Sequence, residues 1–288
     1  MRTLLLISLL LPTLCSAQDP FTGRPYMLRE GAKVVSGQVE IPDGHVPSPF
    51  PLVRSQGEWL DLGIGLVHVS QAVSLSAASD YYFNYLFTHP TSSWGNCKLG
   101  DVSVAQAQWD NALKDYTEAI RLDPANYAAF AGRGIAHKGK GDLAAALRDL
   151  NEAIRLAPTS PVAFNSRAAL WTAKGDLEAT LRDFAEAIKL SPYYASPYNN
   201  RAWLLATSKH DHIRDGKAAL ADATKACELT TYNNAVFLDT LAAAYAETGD
   251  FDQAINWQQK AASLVSATRK PDYESRLNLY RTNQPFRK

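Results

Sequence analysis

The 288-residue chain lacks a charge excess of either sign, has only three cysteines and, after its first residues, has no long apolar run. Its 29 basic and 29 acidic residues balance, so charge recruits it neither to nucleic acid nor to an anionic membrane surface. Also missing are a glycine-rich phosphate loop, a nucleophile-elbow sequence and a CxxC pair. The six histidines, at 45, 68, 89, 137, 210 and 212, are scattered, whereas catalysis needs polar groups that converge. The sequence therefore predicts no enzyme and no cofactor. Only "KHDH" at 209–212 is compact enough to suggest a metal. Two histidines flanking an aspartate on a loop still want the third and fourth fixed ligands of a zinc or nickel site. A metal-binding or enzymatic protein using His210 and His212 is the alternative of another class.

What is present begins with Arg2, the apolar run "LLLISLLLP" and then "TLCSA". A basic start, an apolar stretch too short to anchor and small residues at Cys15 and Ala17 form the pattern of a removable secretory signal over residues 1–17. The expected mature chain is exported, periplasmic or extracellular, with no stable membrane insertion once the signal is removed.

Residues 20–70 are rich in Gly, Pro and Val. Five short β-prone runs, "KVVSG", "QVEI", "PLVRS", "EWLDL" and "GLVHV", are separated by turn-formers such as "PDG" and "PSP". Five short strands with tight turns suggest a small barrel. The stretch "GEWLDL…GLVHVS", with Trp59, resembles the closing strands of bacterial SH3-like domains.

From about residue 72 the pattern turns helical. Pro90, Pro124, Pro158 and Pro192 recur every 34 residues, and "DYTEAIRLDP", "DLNEAIRLAP" and "DFAEAIKLSP" repeat at that pitch, the mark of a solenoid. Within 127–158, Phe130, Gly134 and His137 share one helical face. "KGKGD" breaks the run, and Leu143, Ala146, Leu147, Leu150, Ala153 and Ile154 form a second stripe. Each unit is thus two helices joined by a Gly-Asp turn. Large residues at Phe130, Phe164, Tyr198 and Leu238, each followed four later by Gly134, Ala168, Ala202 or Ala242, resemble the tetratricopeptide repeat. The expected fold is mainly α: a tetratricopeptide solenoid preceded by an SH3-like β-barrel.

The predicted division is a helix at 72–90 joining barrel to solenoid, about five units over 93–265 (93–124, 127–158, 161–192, 195–231 and 235–265) and a capping helix and tail over 271–288. That last helix should bury Leu277 and Tyr280 and point Glu274, Arg276 and Arg281 outward. The fourth unit carries the insertion "TSKHDHIRDG". Cys97 and Cys227 fall on distant units, too far apart to bridge, and read as buried thiols.

The resemblance implies protein interaction, with first helices lining a concave face. By helical spacing Ile135, Lys138, Asn165, Thr172, Asn199, Trp203 and Asp239 should face a protein or peptide ligand there. Trp203 has two readings, a peptide contact or packing on the inserted loop. Arg133, Arg167 and Arg201 sit one residue before the small contact residues and should be partly buried, which requires acidic partners. Asp115, Glu118, Asp149, Glu152, Asp183 and Glu186 recur at the same pitch, so an ion-pair ladder is expected. The overall expectation is an exported, non-enzymatic scaffold. A rival is a cell-envelope adaptor whose barrel holds peptidoglycan, a cell-wall polymer, while the repeats recruit a protein.

Overall fold

The computed structural model describes residues 75–288 throughout and, before them, eight short strands between residues 25 and 74. The leader at 1–17 lies outside the described residues. The strands are β1 Pro25–Leu28, β2 Val34–Ser36, β3 Val39–Ile41, β4 Phe50–Pro51, β5 Arg54–Gln56, β6 Trp59–Asp61, β7 Leu66–His68 and β8 Ala72–Ser74. All observed pairings are antiparallel, in orders β4-β1-β8 and β3-β2-β7-β6-β5. The five strands of the second sheet fall on the five β-prone runs, whereas β1, β4 and β8 had no periodic signal. The SH3-like closure expected over 20–70 falls in part outside the described residues.

β8 runs directly into α1 (Leu75–Thr88). Met27 of β1 is fully buried with Ala78 and Tyr82 of α1 and Val102 of the next helix. The strand β1 therefore supplies apolar cover where a repeat would otherwise need another helix.

Five helix pairs follow: α2 Ser93–Ala105 with α3 Trp109–Leu122, α4 Tyr127–Gly139 with α5 Leu143–Leu156, and α6 Pro161–Lys174 with α7 Leu177–Leu190. Then come α8 Ala195–Thr207 with α9 Gly216–Leu229, and α10 Ala235–Glu247 with α11 Phe251–Ser263, before the last helix, α12 Lys270–Arg281. The turn chemistry recurs with the helices. Gly141, Gly175 and Gly249 take φ of 87°, 81° and 84°, which favours glycine, and the following Asp142, Asp176 and Asp250 accept the N–H of Ala145, Ala179 and Gln253.

Helices stack because the crossing residues are small. Ala119, Ala153, Ala187, Ala226 and Ala261 are each fully buried, as are Ala168, Ala202 and Ala242 on first helices. Cys97 and Cys227 are buried and not disulfide-linked. Burial pushes the Cys227 thiol up to about 12, so it stays protonated and inert.

One expectation fails at the end of the solenoid. Tyr273, Leu277 and Tyr280 are buried on α12, but Arg276 points inward rather than out. Its side chain is 14 % exposed and donates to Asp239 at 2.7 Å. Asp239 of α10, 6 % exposed, accepts from this guanidinium and from Gln258 Nε2 at 2.7 Å.

Candidate functional site: the groove and the ion-pair ladder

The three arginines lie on first helices and pair forward, within their own unit. Arg133 donates through Nε and Nη2 to Asp149 at 2.7 and 2.8 Å, Arg167 to Asp183 at 2.7 and 2.8 Å, and Arg201 to Asp222 at 2.6 and 2.8 Å. A third donor reaches backward across the unit boundary: Arg167 Nη1 donates to Asn151 Oδ1 at 2.9 Å, and Arg133 Nη1 to Thr117 at 3.4 Å. The planar fork thus ties one first helix to the second helices on both sides.

The acceptor set departs from expectation in three ways. Glu118, Glu152 and Glu186 leave the ladder and pair on the surface with Arg121, Arg155 and Lys189, one turn away. They sit three residues past the ladder aspartates, rotated off the buried stripe. Asp222, which was not expected, is the fourth unit's acceptor; the insertion shifts it five residues late.

Asp115 is the third departure. The arginine position of unit one holds Leu99, so Asp115 keeps only a 3.4 Å bond from Ser103 Oγ. Burial pushes its carboxyl up to about 6. A pKa raised by folding stabilises through the protonated form, a contribution complete below about pH 4 and lost as pH rises through about 6. Replacing Asp115 by Asn removes that loss. Because the group is only half-buried, we expect a gain of about 1 kcal/mol at pH 7.5 that vanishes by pH 4, read from urea melts at both pH values.

A cavity of about 670 Å³ opens across α6, α8 and α10. Thr172, Asn199, Trp203 and Asp239 all line it, with Ala169, Asn200, Val236 and Thr240 beside them. Asn200 and Val236 escaped the sequence reading because helical spacing selects one residue per turn, whereas the cavity wraps around the helix flank. Ile135 and Lys138 lie on α4, outside that lining; burial lowers the Lys138 pKa. Asn165 is held by its neighbours, donating to the Tyr194 hydroxyl at 3.4 Å and accepting from Asn200 Nδ2 at 3.3 Å.

Two side chains in the cavity stand out. Asn199 is 4 % exposed, and its Oδ1 has no hydrogen-bond partner, while its Nδ2 donates to Asn200 Oδ1 at 3.4 Å. Trp203 packs against the segment that follows α12. Its ring centroid lies 5.7 Å from that of Phe286, and the Arg276 guanidinium sits 5.8 Å from it.

The inserted loop holds no metal cluster. His210 and His212 have ring centroids 5.7 Å apart, Asp211 pairs with Arg214, and His212 faces Glu178 at 3.7 Å. Among the described residues, no group of three or more His, Cys, Asp or Glu side chains is placed to hold an ion.

Residues 97–161 and 237–264 each match a family model of the tetratricopeptide repeat. Those two stretches of the solenoid are tetratricopeptide repeats. Three solved structures share the fold at low identity. The yeast Tom70 structure is 21% identical, with a TM-score of 0.58, covering 71% of this chain and 43% of that one. The thermophilic repeat protein TTC0263 of Thermus thermophilus is 20% identical at 0.54, covering 66% and 100%. The APC/C hetero-tetramer Cut9–Hcn1 is 19% identical at 0.59, covering 70% and 39%. No curated protein matches the chain. Among the described residues, no helix is long and apolar enough to cross a membrane.

Proposed function

We propose that the chain is an exported, non-enzymatic scaffold whose concave face binds a peptide segment of a partner protein. Proteins of this repeat generally mediate protein–protein interaction, and one observation carries the reading to this groove. Asn199 Oδ1 is an acceptor withdrawn from water and left unmatched beside an open cavity. An unmade buried hydrogen bond costs roughly 1–3 kcal/mol, so a main-chain N–H delivered by a ligand would recover a cost already present in the free protein. Thr172, Asn200 and Val236 offer the mixed polar and apolar wall that an extended peptide needs. Asn165 acts by positioning Asn200, while Lys138 and Ile135 extend the same face toward α4.

Export and the SH3-like barrel belong to the same proposal. The leader sequence supports the first, and the antiparallel pairing of β2, β3, β5, β6 and β7 supports the second. The rival adaptor reading, with peptidoglycan on the barrel, draws on the same strands.

Affinity capture from envelope extracts tests both. The unsubstituted chain should recover a protein that is lost when Asn165, Asn199 and Trp203 are all replaced by alanine. Equal recovery by the triple variant would remove the concave face as the site. Recovery of cell-wall polymer that survives the triple substitution would favour the adaptor.

A further inference from the structure

The segment after α12 does not trail away from the solenoid; it returns across the inner face to α8. Phe286 sets its ring against Trp203 and lies 5.6 Å from the Arg276 guanidinium. Arg287 pairs with Glu247 at 2.6 Å and donates to the Ala206 carbonyl at 3.3 Å. The Lys288 N–H donates to the Thr207 carbonyl at 2.8 Å, and Lys288 lines the groove cavity.

The repeat itself explains why α8 can accept this segment. At the end of α4, α6 and α10, a turn glycine folds back to donate its N–H: Gly141 to Lys138, Gly175 to Thr172 and Gly249 to Ala246. The equivalent carbonyl in unit four belongs to Ala206. There the insertion replaces the glycine turn, and Asp215 N–H still closes onto Leu205 while Ala206 is left without its usual donor. A last-turn carbonyl needs a partner, and Arg287 provides it. The one unit whose turn is interrupted is the one that receives the segment.

We infer that residues 284–288 are a built-in ligand of the groove, and that the partner peptide which displaces them carries an aromatic residue followed by a basic one. This rests on the concave face being the partner site. The chemistry is set by what the segment leaves behind. Removing Phe286 uncovers the Trp203 face, already flanked by a guanidinium. Removing Arg287 leaves Glu247 with Arg214 as its remaining ion-pair partner and reopens the Ala206 carbonyl. An aromatic ring and a cation on adjacent residues refill both, whereas an acidic peptide would meet Glu247 and Asp239.

The test uses the full chain and a fluorescein-labelled, amidated peptide TNQPFRK, followed by anisotropy. The unsubstituted chain should bind it weakly, and the Phe286→Ala/Arg287→Ala chain at least tenfold more tightly. Adding Trp203→Ala should abolish the gain, and a TNQPAAK peptide should not bind. Replacing residues 284–288 together by a Gly/Ser segment of equal length, which leaves Trp203 and Glu247 intact, gives a second released chain. Equal affinity for unsubstituted and released chains, or no binding by either released chain, would overturn the proposal. If the released chain ignores the heptapeptide while capture of the envelope partner still depends on Asn199 and Trp203, the built-in ligand falls and the groove reading stands. Tight heptapeptide binding with capture independent of those residues would instead overturn the partner half of the inference.

Discussion

Replacing Arg167 with leucine is expected to lower the unfolding free energy by about 3 kcal/mol, the low end for breaking a buried pair because the arginine side chain remains 21 % exposed. The loss comes from what stays behind. Asp183 is 7 % exposed and would be left buried with both guanidinium bonds removed. Asn151 of α5 loses its donor in the same step, so the contact between units two and three weakens as well. A solenoid's stability is a sum of unit and interface terms. We therefore expect the urea transition to broaden, with a lower m-value, as the array comes apart in two parts. Removing the acid too, in Arg167→Leu/Asp183→Ala, should return most of the loss, since an apolar replacement of both partners is close to neutral. Arg133→Leu should cost less than Arg167→Leu, because its backward bond to Thr117 is 3.4 Å rather than 2.9 Å. Additive single and double variants at 167 and 183 would show that the ladder contributes no coupling.

The ladder also shows how far the sequence could be read. Arginines one residue before each small contact residue announced buried cations, and acids at the same pitch announced their partners. Pitch alone does not choose between Asp149 and Glu152, since both repeat every 34 residues; the choice follows from helix rotation, which places the aspartate inward. Asp222 was hidden by the insertion that breaks the period. The groove was legible in part, since helical spacing found Thr172, Asn199, Trp203 and Asp239 but not the flank residues Asn200 and Val236. What no periodicity could supply is the return of residues 284–288. A segment outside the repeat carries no phase, and its position depends on a carbonyl made available eighty residues earlier by a missing glycine turn. The capping helix was misread for a related reason. Arg276 looks solvent-facing by composition, but the buried Asp239, where the earlier units carry Ala131, Asn165 and Asn199, draws it inward.

The second large effect is expected at Gly132, where alanine would normally help a helix by about 1 kcal/mol. Here a Cβ would stand 2.3 Å from the Tyr116 ring, too close for any real contact. The ring has nowhere to go. Gly100 of α2 closes on its other side, where a Cβ would meet it at 2.7 Å, and the hydroxyl donates to Asp101 at 2.7 Å. Burial, with the nearby Asp101 carboxylate, holds the phenol well above its usual pKa, so it remains a donor across the accessible pH range. Tyr116 is 1 % exposed, so its displacement must open α2 from α4 or expose the ring. We expect Gly132→Ala to cost about 3 kcal/mol before the propensity gain and about 2 kcal/mol net, as overpacking does. Tyr116→Leu alone should cost about 3 kcal/mol through the cavity it leaves. In the Gly132→Ala/Tyr116→Leu chain the new methyl fills part of that cavity. The double variant should therefore be more stable than the sum of its parts by at least about 1 kcal/mol, measured as a double-mutant cycle in urea. Simple additivity would mean that the ring moves freely between the two glycines, and the close packing of the first two units would then not depend on their lack of side chains.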